Sequence, residues 1–213
     1  METPLIIANF KSNMTLMDAQ KWLQSFSNKS SKKVIILPPF TLLSFFRSFI
    51  ENAKIKVSLG SQNVSQYGEG AYTGEVNAKQ VKDYCEYVLI GHSERRKYFS
   101  EKKEDLAKKV EKALESKLVP IYCVQGEEEV PQGIEIVAYE PTFAIGTGNP
   151  DSPENAQKVS DYFKKKGIKI FLYGGSVNSM NVGKFTEKEN IDGVLVGGAS
   201  LEPQEFKKII ENA

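Results

Sequence analysis

Three side chains of different chemistry stand at the ends of short apolar runs: Lys11 after Leu5–Asn9, the single histidine His92 after Tyr87–Gly91, and Glu140 after Glu135–Tyr139. They offer a fixed positive charge, an imidazole that can donate or accept a proton near neutral pH, and a carboxylate that can remove one. Two further runs close in glycine-rich turns, Gly174-Gly175-Ser176 and Gly197-Gly198-Ala199-Ser200, and Ala144-Ile145-Gly146-Thr147-Gly148 follows Glu140. Backbone N–H groups in such turns can receive an anion, because no side chain blocks its approach. Singly, each feature has a plainer reading. A lysine after a strand is usually solvated, a lone histidine is more often structural, a glutamate before Pro141 can simply end a strand, and Gly-Gly marks a turn. Their joint placement at run ends is what points to proton transfer beside an anion site.

The elements that must hold these residues alternate along the chain. Eight apolar runs, Leu5–Asn9, Val34–Leu37, Lys56–Gly60, Tyr87–Gly91, Val119–Cys123, Glu135–Tyr139, Lys169–Tyr173 and Gly193–Val196, have the length and the Val/Ile/Leu content of parallel strands buried on both faces. Amphipathic stretches separate most of them. Thr15 and Asp18 form a capping-box pattern ahead of a stripe of Ala19, Trp22, Leu23 and Phe26. Leu106, Val110, Ala113 and Leu114 make a second stripe, with Glu104–Lys108 and Asp105–Lys109 expected as pairs on its outer face. Ser152-Pro153 is an N-cap followed by proline, leading to Ala156, Val159 and Phe163, and Pro203 opens a last helix with Phe206, Ile209 and Ile210 inward. Strand–helix alternation implies a parallel sheet with right-handed crossovers, and periodicity leaves both an open and a closed form possible. No Gly-x-Gly-x-x-Gly follows the first run, which argues against a dinucleotide-binding sheet. If the sheet closes, function belongs at the C-terminal strand ends, where Lys11, His92, Glu140 and the glycine turns all fall.

Composition narrows the classes. The 213 residues carry 28 Lys+Arg and 27 Asp+Glu, interleaved, so no basic surface for nucleic acid is expected. No apolar run approaches the roughly 18 residues of a membrane helix, and the N-terminus is not read as a signal peptide. Two isolated cysteines and one histidine make neither a disulfide framework nor a zinc site, so a cytoplasmic, metal-free protein is expected. No linker or repeat interrupts residues 1–213, read as one domain.

The ordered motifs Asn9-Phe10-Lys11, Gln62-Asn63-Val64, Ala71-Tyr72-Thr73-Gly74-Glu75, Gly91-His92-Ser93-Glu94-Arg95-Arg96, Ala138-Tyr139-Glu140-Pro141, Ala144-Ile145-Gly146-Thr147-Gly148, Tyr173-Gly174-Gly175-Ser176-Val177 and Gly197-Gly198-Ala199-Ser200-Leu201 span nearly the whole chain. The sequence thereby resembles the triosephosphate isomerase family. The resemblance implies a (β/α)8 TIM barrel and a cofactor-free isomerase. The family interconverts dihydroxyacetone phosphate and D-glyceraldehyde 3-phosphate through an enediol(ate), in glycolysis and gluconeogenesis. It implies Glu140 as the base and His92 as the electrophile, held neutral at a helix N-terminus, for which this family is itself the known example. Lys11 and Asn9 are then implied at the substrate, with Glu94 paired to Lys11 or assisting proton movement. Backbone groups of Gly146, Ser176, Gly197 and Gly198 are implied at the phosphate, under a lid running from Pro141 to Gly148. A homodimer is implied, with Tyr72 and Thr73 on the loop that enters the partner near its Lys11 and His92.

The chain also departs from the family. Phe143 stands where the family usually has tryptophan, Asn149-Pro150 replaces the usual lysine-containing hinge, and Cys123-Val124-Gln125-Gly126-Glu127 alters the motif after strand five. Between strands five and six only Val124 to Ile134 remain, with Pro131 and Gly133 among them. A crossover containing a helix needs about 10–12 residues at minimum, so the helix there is expected to be shortened or absent. Two alternatives stand beside the isomerase: another barrel enzyme acting on a different phosphorylated aldose or ketose, and a shortened non-enzymatic paralogue that binds phosphate or adheres to surfaces. The complete Lys11, His92 and Glu140 set weighs against both.

Overall fold

The computed structural model describes residues 3–144, 146 and 148–213. Eight parallel strands run in chain order: β1 (Leu5–Asn9), β2 (Lys33–Leu37), β3 (Ser58–Ser61), β4 (Tyr87–Ile90), β5 (Val119–Val124), β6 (Ile136–Tyr139), β7 (Ile170–Tyr173) and β8 (Gly193–Val196). Each pairs with its neighbours in sequence, and β8 returns to β1 with Leu5 opposite Gly193, closing the barrel. The eight expected runs are all strands, with small shifts at their ends. β3 begins at Ser58 rather than Lys56, because the Val57 N–H bonds Ile55 O at 3.0 Å and holds Lys56 in a turn.

Because side chains alternate across a strand, each strand feeds two cores. Leu5, Ile7, Ile35, Leu37, Tyr87, Leu89, Ile121, Cys123, Ile136, Ala138, Leu172 and Leu195 fill the barrel interior. Gly60 is required there: a Cβ would stand 2.5 Å from Leu37 Cδ2 and 2.9 Å from Tyr87 Cβ. The other parity packs against the helices α1 (Leu16–Ser25), α2 (Leu43–Ala53), α3 (Ala78–Lys82), α4 (Ser93–Tyr98), α5 (Lys103–Glu115), α6 (Pro153–Lys165), α7 (Val182–Thr186) and α8 (Pro203–Asn212). The Thr15/Asp18 capping box forms as read from the sequence, as does the Ser152 cap with Pro153 in the first turn of α6.

Every strand except β5 is followed by an α-helix. Residues 125–135 contain only bends and a turn, so the helix expected to be shortened or absent is absent. The outward side chains of the two flanking strands, Tyr122, Val124, Val137 and Tyr139, nevertheless remain buried. Ile134 and Val130 of the connection fold back onto the outer core. The Arg96 guanidinium lies 5.7 Å from the centre of the Tyr122 ring, donates to Cys123 O at 2.6 Å and pairs with Glu128 at 3.3 Å. At the far side Glu129 pairs with Lys166 of the turn after α6.

Two expectations for α5 are corrected. Lys109 is not on the outer face: it is buried, and its ammonium donates to Glu101 Oε1 at 2.5 Å and Asn63 Oδ1 at 2.7 Å. Asp105 instead accepts the Lys102 N–H at 3.0 Å. Lys109 lies three residues after Leu106, on the inward side, and a buried ammonium demands such partners. Leu114, in turn, is 40% exposed rather than part of the inward stripe.

Candidate active site

Strand parity delivers the site. Beyond Leu5 and Ile7 the inward position of β1 is Asn9, beyond Ile136 and Ala138 it is Glu140, beyond Leu172 it is Gly174, and beyond Leu195 it is Gly197. All four line one cavity of ≈ 280 Å³ at the C-terminal mouth, together with Lys11, His92, Gly146, Gly148, Ser176 and Gly198. Leu195, Val177, Asn178 and Ala199 complete the wall.

Lys11 has a left-handed backbone (φ 53°), its N–H donates to Asn9 Oδ1 at 3.0 Å, and its ammonium meets Glu94 Oε1 at 2.5 Å. Asn9 thus braces the turn that presents Lys11. Glu94 does not line this cavity but borders the neighbouring one, which Lys11 and Gly146 also line.

His92 caps α4. Its Nδ1 accepts the Glu94 N–H at 3.3 Å, while its Nε2 stands 2.8 Å from Glu140 Oε1. A ring nitrogen that accepts a backbone N–H carries no proton, so the neutral ring holds its hydrogen on Nε2, facing the carboxylate. Glu140 is buried and its second oxygen accepts the Ser93 N–H at 2.9 Å. Burial alone would raise the Glu140 pKa. The His92 hydrogen bond, the Ser93 N–H and the Lys11 charge oppose this, and the pKa is held below the ordinary 4.5. The Glu140 side chain also needs Gly174 beside it, since a Cβ there would lie 3.1 Å from Glu140 Cγ.

The glycine-rich end of the cavity is lined largely by backbone. Ser176 takes φ 51°, its hydroxyl donates to Ala144 O at 2.5 Å and accepts the Gly148 N–H at 3.3 Å, so it joins the loop after β7 to the segment after Glu140. Two asparagines brace that turn: Asn181 Nδ2 donates to Ser176 O at 3.0 Å, and Asn181 Oδ1 accepts the Asn178 N–H at 2.9 Å. Sequence reasoning missed the Ser93 N–H, which is backbone and leaves no residue-type signal. It also missed Asn178 and Asn181, whose Asn-x-x-Asn spacing after the glycine turn was a readable turn signature. Of the expected lid, Ile145 and Thr147 lie outside the described residues.

Tyr72 and Thr73 are not brought to the cavity. They sit on the long connection between β3 and α3, exposed, with Tyr72 stacked on Tyr67 at 4.3 Å.

A closed parallel barrel whose mouth couples an imidazole to a carboxylate beside glycine-rimmed backbone defines a (β/α)8-barrel enzyme of the acid–base kind. The family profile described as Triosephosphate isomerase matches residues 4–134 and 132–213. The chain is 37% identical to the triosephosphate isomerase of Dictyoglomus turgidum over 252 aligned positions, covering all of both chains. It is 41% identical to that of Hahella chejuensis, covering 100% of this chain and 99% of that one, and 36% identical to that of Aquifex aeolicus, covering 97% and 98%. The chain belongs to the triosephosphate isomerase family. Its 213 residues against 252 aligned positions mean deletions inside the shared span, and the two matched segments meet within the helix-less connection from β5 to β6.

Proposed function

We propose that the protein interconverts dihydroxyacetone phosphate and D-glyceraldehyde 3-phosphate by proton transfer through an enediol(ate), as one barrel domain that needs no cofactor. The observation that carries this reading is the 2.8 Å contact between His92 Nε2 and Glu140 Oε1 on the wall of a glycine-rimmed cavity. Backbone N–H groups of Gly146, Ser176, Gly197 and Gly198 hold the phosphate. The substrate carbonyl oxygen replaces the Glu140 carboxylate as acceptor for His92 Nε2–H, and the freed carboxylate removes the proton from the adjacent carbon. Negative charge developing on oxygen is met by the His92 donor and by the Lys11 ammonium, which leaves Glu94 for the substrate. Asn9 keeps Lys11 in place. A proton passes from the substrate hydroxyl oxygen to the former carbonyl oxygen, with His92 Nε2 as the relay between them, and Glu140 returns its proton to the neighbouring carbon, which completes the exchange of aldehyde and ketone. Residues 141–148 serve as the lid that excludes water from the enediolate.

The same reading includes a cytoplasmic homodimer. Among the described residues no helix is long and apolar enough to cross a membrane, and both cysteines are free and buried. Leu16, Met17, Tyr67, Tyr72, Tyr98 and Phe99 are large apolar side chains left exposed on or beside the connections after β1, β3 and β4. These support an interface in which Thr73 of one subunit packs near Lys11 and His92 of the other.

A coupled assay on the purified protein with each triose phosphate, without added metal, tests the reaction. Turnover in both directions is expected; its absence across several buffers overturns the proposal.

A further inference from the structure

Asp151 lies outside the cavity, one residue ahead of the Ser152 cap of α6, and only 9% of it is exposed. Its carboxylate is fully engaged. Oδ2 accepts from the Tyr139 hydroxyl at 3.0 Å and from Asn155 Nδ2 at 2.6 Å, and Oδ1 accepts the Ser152 N–H at 2.8 Å. Its own N–H donates to the Tyr173 hydroxyl at 2.7 Å. Tyr139 and Tyr173 are the last residues of β6 and β7 and face each other in register. The next residues are Glu140 and Gly174, and the Gly174 N–H bonds Tyr139 O at 2.8 Å. Asp151 therefore grips, by two separate bonds, the strand end that carries Glu140 and the strand end that opens the glycine turn.

A helix start does not need this arrangement. Ser152 already caps α6 by accepting the Asn155 N–H at 3.1 Å. A buried carboxylate is costly to desolvate and is retained only when its partners satisfy it. Here one of those partners is the side chain immediately before Glu140. Neighbouring residues on a strand point to opposite faces, so fixing the Tyr139 ring on the outside fixes the Glu140 peptide and the direction of its carboxylate on the inside.

We infer that Asp151 is a positioning residue for Glu140, acting through the Tyr139 hydroxyl. The inference rests on the proposed role of Glu140 as base. The grips on the two strand ends can be separated: Asp151→Ala deletes the bond to Tyr139, along with those to Asn155 and the Ser152 N–H, but keeps the backbone bond to Tyr173. The turn at Gly174 stays in place while the approach of the base is loosened.

Steady-state kinetics in both directions on the wild type, Asp151→Ala, Tyr139→Phe and the double variant test this, with competitive inhibition by inorganic phosphate as the binding readout. A small displacement of a catalytic group can cost up to about 10²-fold, so each single variant is expected to lower kcat by roughly 10- to 100-fold. KM and the phosphate inhibition constant should stay within about twofold, since ground-state binding is untouched. The double variant should be no slower than the slower single, because both remove the same bond between Asp151 and Tyr139. Asp151→Asn, which retains an oxygen for the Tyr139 hydroxyl, should recover part of the loss. Unchanged kcat in Tyr139→Phe, multiplied losses in the double variant, or a rise in KM with kcat intact would each overturn the inference. Tyr139→Phe removes a single oxygen, so it decides the matter even where Asp151→Ala does not fold. A wild type without turnover would instead sink the proposed reaction and this inference with it, whereas an active wild type with unaffected variants would sink this inference alone.

Discussion

His92 Nε2 and Glu140 Oε1 are hydrogen-bonded to each other at 2.8 Å, and the other nitrogen of the ring is occupied by the Glu94 N–H. Imidazole and carboxylate are thus closed on one another, in the tautomer that points a proton at the carboxylate. In the proposed reaction a carbonyl oxygen entering the cavity takes over that donor and releases the carboxylate.

Replacing the carboxylate by its amide removes the proton acceptor and little else. Glu140→Gln is expected to lower turnover by roughly 10²–10⁴-fold or more while phosphate-ligand binding survives. Single-turnover rates beside phosphate inhibition separate the two effects. Unchanged turnover would remove Glu140 from the mechanism.

The Glu140 carboxyl lies below its ordinary 4.5 against the opposing effect of burial. Because the folded value is depressed, ionisation stabilises the fold above the unfolded pKa, and this is lost as pH falls through the folded one. The enzyme ionisation in the acid limb of kcat/KM, with the substrate phosphate's own titration at about pH 6 divided out, is therefore expected below 4.5 wherever circular dichroism shows the protein folded. A carboxylate limb centred at about pH 6 would contradict the assignment.

Thr73 stands on an exposed loop beside the stacked Tyr67 and Tyr72 rings. Thr73→Glu would bury an unpaired charge if that loop enters a partner. Sedimentation velocity is expected to show a shift from dimer to monomer. An undisturbed dimer counts against this loop as the interface.

The Cys85 thiol is pushed up to about 12, first by burial and then by the charge of Glu86. A raised folded pKa means the stability is whole below the unfolded value of 9.0 and declines as pH rises from there toward about 12. Urea midpoints should fall above pH 9.0, and Cys85→Ala should flatten that decline. An identical slope in the variant would place the alkaline loss elsewhere, at the Cys123 thiol or at the hydroxyls of Tyr122, Tyr139 and Tyr173, all raised chiefly by burial.

Arg96 binds Gly91 O at 2.8 Å and Cys123 O at 2.6 Å across the seam where the barrel lacks its outer helix. Arg96→Met leaves two buried carbonyls without a donor, a loss of about 2–3 kcal/mol. Because Gly91 precedes His92, kcat is expected to fall as well. Denaturant unfolding and kinetics on the same variant check both; a stable, fully active Arg96→Met would show that the connection at 125–135 seals the seam alone.

Much of the site was legible before any coordinates. Alternation along β1, β6, β7 and β8 sends Asn9, Glu140, Gly174 and Gly197 inward at the strand ends, and the motifs supplied Lys11 and His92. The short stretch between strands five and six already limited the connection to a shortened helix or none. These features are local: a period of two sets the face, and a count of residues limits what a connection can hold. Other features depended on distance in the chain. Closure rests on the pairing of Leu5 with Gly193. The inward turn of Lys109 depends on Glu101 and Asn63, and the bond of Asp151 to Tyr139 joins two elements across a loop. Above all, the partners of His92 were decided by where its two nitrogens came to rest, one against its own helix and one against a carboxylate from a different strand. The order of residue types determines what chemistry is available and which face carries it; only packing of the whole barrel brings donor and acceptor within 3 Å, because that contact sums the geometry of every strand between them.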